Sequence, residues 1–133
     1  MKVLLDTNTC IAVIKQKPLQ VLKHLSRFSV GDVVLSSITL AELQYGVEKS
    51  LHQERNQQAL DEFLLPLLIA DFDIKAAGIY GKVRAELERK GTPIGSLDTL
   101  IAAHALSLNV TLVTNNLREF RRVTSLKVVD WTS

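Results

Sequence analysis

The chain has 133 residues, enough for one domain (1–133) that buries about two-thirds of its unfolded surface and needs no disulfide staples. Hydrophobic residues make up 47% and charged residues 23%, an ordinary globular balance, and aromatics at 5% leave Leu, Ile, Val and Ala to fill the core. A net charge of +2, from 16 basic and 14 acidic residues, is too mild to announce a polyanion-binding protein.

Lys2 to Leu5 reads as a short buried strand. Asp6 breaks this run and no small-residue cleavage site follows, so no signal peptide is expected. Thr7 to Lys15 reads as a helix capped by Asp6 or Thr7. It carries Cys10, the only cysteine, which reads as core; the lack of any intrachain disulfide fits a reducing cytoplasm. Pro18 opens a second helix through about Phe28, with Leu19, Leu22 and Leu25 on one face. After the Gly31-Asp32 turn, Val33 to Ser36 is the second strand.

Thr39 to Lys49 and Gln53 to Leu65 read as helices, the latter stopped by Pro66. Phe63 to Ala70, the longest uncharged apolar stretch, is too short to span a bilayer, so no membrane association is expected. Leu67 to Ala70 is a short strand, and Ile74 to Lys90 a long helix ended by Gly91-Thr92-Pro93. Gly78 and Gly81, costly inside a helix, predict close approach of another backbone. Leu97 to Leu108 is apolar nearly all round and therefore buried. Thr111 to Thr114 is a strand, Asn116 to Phe120 a helical turn and Lys127 to Val129 a closing strand. This alternation predicts an α/β fold: a doubly wound parallel sheet of about five strands with helices on both faces, in three layers.

Four acids sit where strand-like runs hand over to helix-like runs: Asp6, Glu42, Asp98 and Glu119. The carboxyl ends of parallel strands converge on one crevice, where such sheets bind ligands. Carboxylates gathered there repel one another, and a hard divalent cation relieves the repulsion. Each acid also has a structural explanation. Asp6 can cap a helix, and Thr39 to Glu42 fits a capping box. Asp98 suits the positive end of a helix, and Glu119 suits a surface among arginines. No Lys or Arg lies within four residues of Asp98, and the only one near Asp6 is Lys2, at the far end of its strand. A shared Mg²⁺ or Mn²⁺ therefore accounts for the acids together, and phosphodiester hydrolysis is the chemistry such a site performs.

Lys82, Arg84, Arg89 and Lys90 on one segment, and Arg118, Arg121 and Arg122 on another, suit either phosphate contacts around an acidic centre or solvated helix faces. His104 lies on the apolar stripe of Leu97, Ile101, Ala105 and Leu108 and reads as a core histidine. Three histidines without ligand spacing make no zinc site, and no glycine-rich phosphate loop is present.

Met1-Lys2-Val3-Leu4-Leu5-Asp6-Thr7-Asn8 and Ile38-Thr39-Leu40-Ala41-Glu42-Leu43-Gln44-Tyr45-Gly46 resemble the opening half of a PIN domain. The run from Gly91-Thr92-Pro93 through Asp98-Thr99-Leu100-Ile101-Ala102-Ala103-His104-Ala105 is similar to the third acidic motif of VapC toxins. Leu112-Val113-Thr114-Asn115-Asn116-Leu117-Arg118-Glu119-Phe120 and the ending Val129-Asp130-Trp131 match that group as well. The resemblance implies the toxin of a bacterial type II toxin–antitoxin pair. Such a toxin is a Mg²⁺- or Mn²⁺-dependent endoribonuclease, commonly directed at tRNA, that is neutralised by a VapB-like antitoxin and forms a homodimer.

By the same resemblance the acidic ligands carry over to Asp6, Glu42 and Asp98. Many relatives carry Asp where this chain has Asn116, so the fourth role passes to Glu119 with Asn116 as a polar neighbour. Thr7, Asn8 and Thr114 then orient ligands or waters, or serve as caps and strand-end hydroxyls. The competing expectation is a PIN-like module that has lost catalysis and acts only by binding protein or RNA.

Overall fold

Short runs of valine and leucine, each released into a helix by a polar cap, set the architecture. A computed structural model describes residues 1–132. The elements follow in order as β1 (Val3–Leu5), α1 (Thr7–Lys15), α2 (Leu19–Leu25), β2 (Val33–Ser36), α3 (Ser37–Glu48) and α4 (Gln53–Leu64). Then come β3 (Leu68–Ala70), α5 (Ile74–Arg89), α6 (Ser96–Leu108), β4 (Thr111–Val113), α7 (Leu117–Phe120) and β5 (Val128–Val129). Among the described residues, all five strands are parallel, in the order β3-β2-β1-β4-β5.

That order reverses between β1 and β4. The chain moves outward from β1 through β2 to β3, then crosses back to β4 and β5. The crevice outside the carboxyl ends of β1 and β4 is thus the switch point of the sheet. Val3 lies opposite Val33 on one side and Thr111 on the other, and Leu5 opposite Val113.

Side-chain alternation along each strand feeds two cores. Val3, Leu5, Val33, Leu35 and Val113 pack with Cys10, Val13, Leu43, Val47 and Leu60. Leu4, Val34 and Leu112 pack on the other face with Val83, Leu87, Ile101, Ala102, Ala105 and Phe120. The result is the three-layer arrangement expected. Trp131 closes the first core, stacked on His24 and Phe28 with ring centroids 5.7 and 5.5 Å away.

Three predicted details are corrected. The second helix stops at Leu25 rather than near Phe28, because the backbone tightens. Arg27 and Phe28 N–H groups donate three residues back, to His24 and Leu25, and the Ser26 hydroxyl donates to the Lys23 carbonyl. The third helix begins at Ser37, capped by Ser36, whose hydroxyl accepts from Ile38 N–H at 3.1 Å. Thr39 is therefore already inside the helix and does not cap it, so the capping-box explanation of Glu42 falls. Finally, a β-carbon added at Gly78 or Gly81 would meet nothing within 4 Å, so among the described residues no backbone of another element approaches them closely.

Because both glycines lie on an exposed helical face, Gly78→Ala and Gly81→Ala should each stabilise the protein by up to about 1 kcal/mol in urea unfolding. Destabilisation instead would place a second molecule's backbone on that face.

Candidate active site

Asp6 is the first residue beyond β1, and two bonds fix it. Its backbone N–H donates to Val113 O at 3.0 Å, tying it to the end of β4. Its Oδ1 accepts from Thr9 N–H at 2.8 Å, capping α1. Capping occupies one carboxylate oxygen and leaves Oδ2 with no hydrogen bond. Thr9 completes the joint, its hydroxyl donating to Val113 O at 3.2 Å. Asp6 is almost wholly buried, at 6% exposure.

The other acids arrive on separate elements. Glu42 projects from the middle of α3, half-buried. Asp98 occupies the first turn of α6, whose N-cap is Gly95 with no side-chain cap bond. Glu119 lies on α7, where Asn116 Nδ2 donates to its Oε2 at 2.9 Å. Asp6, Thr7, Asn8, Glu42 and Asp98 line one cleft of about 190 Å³ with Ile38, Leu97 and Ile101. Burial, then the neighbouring charges of Glu119 and Asp6, hold the Asp98 carboxyl above the ordinary carboxylate range. The fold therefore brings Asp6 and Glu42 to the same cleft as Asp98, with Glu119 close enough to act on Asp98 electrostatically.

Among the described residues no cationic side chain forms an ion pair with these acids. The ion pairs among the described residues are Lys2–Asp32, Arg84–Glu88 and Lys90–Glu86, and none involves the cleft acids. Among the described residues no three His, Cys, Asp or Glu side chains stand close enough to coordinate one ion together. An oxygen-only donor set with two carboxylates and room for water fits Mg²⁺, which takes one or two carboxylates and keeps several waters. It does not fit zinc, which favours nitrogen and sulfur.

The remaining predicted residues divide. Thr7 and Asn8 line the cleft. Thr114 and Asn116 are not among its lining residues; the Thr114 hydroxyl accepts from Asn116 N–H at 3.0 Å and so braces the turn that presents Glu119. Arg84 is engaged by Glu88 and by the Tyr80 hydroxyl, Lys90 by Glu86, and Arg122 donates to the Pro93 carbonyl. Lys82, Arg89, Arg118 and Arg121 are exposed and have no ion pair or side-chain hydrogen bond among the described residues. Sequence reasoning passed over Thr9 and Ser36. The signal for Thr9 was its position three residues after a capping aspartate; that for Ser36 was a hydroxyl at a strand end before an apolar helix.

The PIN domain model matches residues 3–126. The chain is 47% identical over 131 residues to the tRNA(fMet)-specific endonuclease VapC of Salmonella typhimurium, covering 98% of each. The chain belongs to the VapC family of PIN-domain proteins. The same PIN fold recurs in the crystal structure of VapBC2 from Rickettsia felis bound to a DNA fragment from their promoter. That match has a TM-score of 0.93 and 45% identity over 98% of this chain and 99% of that one. VapBC-1 from nontypeable Haemophilus influenzae follows with a TM-score of 0.90 and 36% identity, covering 100% of both chains.

The electrostatics of this PIN domain give a signed expectation. Asp98 keeps its proton to higher pH in the fold than in the unfolded chain, where a carboxyl titrates near about 3.9. Between those values the folded state binds more protons, so stability is lost as pH rises through that window and stays lost at neutral pH. Metal-free Asp98→Asn should therefore melt a few degrees above wild type at pH 7, and the gap should close in acid. A melting curve that is unchanged at pH 7 would mean that Asp98 bears no uncompensated repulsion. Asp6→Asn separates cap from charge: Asn caps as well as Asp, so metal-free stability should hold while stabilisation by Mn²⁺ is lost.

Proposed function

We propose that this PIN domain is the toxin of a type II toxin–antitoxin pair, an endoribonuclease that uses Mg²⁺ or Mn²⁺ to hydrolyse a phosphodiester of tRNA. The observation that carries the reading is the cleft in which Asp6, Glu42 and Asp98 converge with no cationic partner. Family membership supports it, since the Salmonella relative is a tRNA(fMet)-specific endonuclease. Initiator tRNA is accordingly the first substrate to test.

Asp6 Oδ2 and the Asp98 carboxylate would hold the ion. A bound divalent cation neutralises phosphate charge and lowers the pKa of water to supply hydroxide. Glu42 and Glu119 would orient the attacking water and accept its proton. Water adds to phosphorus, the bond to the 3′-oxygen breaks, and that oxygen takes up a proton, leaving a 3′-hydroxyl and a 5′-phosphate. Exposed Arg118 and Arg121, close in sequence to Glu119, and Lys82 and Arg89 on α5 would hold the flanking backbone.

An antitoxin has a place beside the cleft. A groove of about 280 Å³ runs between α1, α3 and α4, lined by Ile11, Ile14, Leu43, Val47, Ala59 and Leu60, and Glu42 belongs to both groove and cleft. The apolar face of an amphipathic VapB-like segment fits such a groove, and its Arg or Lys would reach the acids in the cation's place. The VapBC2 structure of Rickettsia felis and the VapBC-1 structure of Haemophilus influenzae support this pairing. Two copies would also join as a homodimer. No helix among the described residues is long and apolar enough to cross a membrane, and the lone unpaired cysteine suits a cytoplasmic protein.

Incubated with purified initiator tRNA and Mn²⁺, the chain should yield two fragments ending in 3′-hydroxyl and 5′-phosphate. Asp6→Asn should cut roughly 100-fold more slowly or worse, as when one preorganised electrostatic partner is lost. Wild-type cleavage by the Asn protein, or undiminished cleavage in excess chelator, would end this reading.

A further inference from the structure

His104 is buried to 1% exposure, whereas His52 is exposed and His24 only half-buried. It sits on α6, six residues after Asp98 and roughly 9 Å further along the helix. Its Nδ1 lies 2.8 Å from Ser36 Oγ, which is itself wholly buried. Ser36 is the last residue of β2 and the cap of α3, the helix that carries Glu42. The Phe72 ring meets the imidazole edge-on at 5.3 Å, and Phe72 N–H donates to Ser37 Oγ at 3.0 Å. One imidazole thus joins the β2–α3 corner, the β3–α5 connection and the core helix that bears Asp98.

The protons around Ser36 can be placed by counting. Its hydroxyl has one hydrogen, and its oxygen already accepts from Ile38 N–H. If Nδ1 is unprotonated, Ser36 donates to it while capping α3, and every group is satisfied. If Nδ1 carries a proton, two N–H groups point at one oxygen, and the Ser36 hydrogen is left in a buried site with no acceptor. Burial lowers the affinity of the ring for a second proton, against the opposing pull of Asp73, the Asp71 backbone and the Asp71 charge. The neutral form with its proton on Nε2, towards Asp71, is the consistent one.

We propose that His104 is a positioning residue: by accepting from Ser36 it fastens the start of α3 to α6 and so sets where Glu42 stands relative to Asp98. This rests on the cleft being a divalent-cation site. Repulsion among the acids pushes the helices apart, and this buried bond is a polar tie between the two that bear Glu42 and Asp98.

The test uses the full chain and three readouts that need no cleavage: Mn²⁺ affinity by calorimetry, exchange of the Ile38 amide, and the imidazole ¹⁵N shifts. His104→Asn can place its Oδ1 where Nδ1 was and keep the acceptor, whereas His104→Leu keeps an apolar filler and loses it. The Leu variant should bind Mn²⁺ about 10-fold more weakly, the loss usual for an outer partner of a metal site. It should also exchange the Ile38 amide at least about 10-fold faster, as a lost capping bond allows. The Asn variant should recover both. Wild-type shifts should report the proton on Nε2. Wild-type affinity and Ile38 protection in a folded Leu variant would overturn the proposal, as would equal impairment of Leu and Asn variants, which would indicate packing alone. A proton on Nδ1 in wild type overturns it even if the Leu variant does not fold. If wild type itself fails to bind Mn²⁺, the reading of the cleft fails, and Ile38 exchange still decides whether His104 holds α3.

Discussion

Like charges held together in a cleft without a counter-charge are the constraint from which the rest of this structure follows. Asp98 shows it most directly, its carboxyl pushed up by burial and by Glu119 and Asp6. A chain selected only for stability would place a lysine there or remove an acid. This one places basic residues elsewhere, pairing Arg84 with Glu88 on α5 and Lys90, just past its end, with Glu86. The acids in and beside the cleft are held by local geometry instead. Asp6 caps α1 with one oxygen, Asp98 sits at the positive end of α6, and Asn116 holds one oxygen of Glu119. Each arrangement satisfies part of a carboxylate and leaves the rest for a ligand.

Much of this was legible in the sequence because its causes are local. A three- or four-residue apolar run followed by Asp or Ser is enough to mark a strand that turns into a capped helix, and Thr7–Lys15 and Val33–Ser36 are found where periodicity placed them. The buried state of His104 was likewise visible in its apolar stripe. The misses have causes outside a local window. Whether Ser36 or Thr39 caps the third helix depends on how far β2 stays paired with β3, and Ser36 pairs with Ala70. The partner of His104 lies 68 residues away. Gly78 and Gly81 drew the wrong inference because a helical glycine signals close approach only where something approaches, and among the described residues nothing does.

The acidic cleft and the apolar groove share a wall in α3. Glu42 belongs to both, while Leu43 and Val47 face the groove and Ile38 the cleft. A helix that walls both cavities cannot move towards one without leaving the other. Whatever fills the groove therefore bears on the carboxylate set. An occupant that carries a cation meets acids already short of positive charge, and competition with a metal then needs no remote conformational signal.

The dispersal of the acids over four separate elements has its own physical logic. Concentrated on one helix, their repulsion would oppose formation of that helix locally, where little burial could offset it. Spread over the end of β1, the middle of α3, the first turn of α6 and the short helix α7, the repulsion arises only when the whole sheet closes. By then Leu4, Leu5, Val34, Leu35, Leu112 and Val113 are wholly buried, each contributing about 1.5–3 kcal/mol. The strain of the site is thus carried by the central strands rather than by the elements that bear the charges. Thr9 and His104 have their place in the same scheme. Each is a buried polar group that ties a charge-bearing helix to a strand end, at Val113 and at Ser36 respectively. These ties transmit the rigidity of the sheet to helices that mutual repulsion would otherwise loosen.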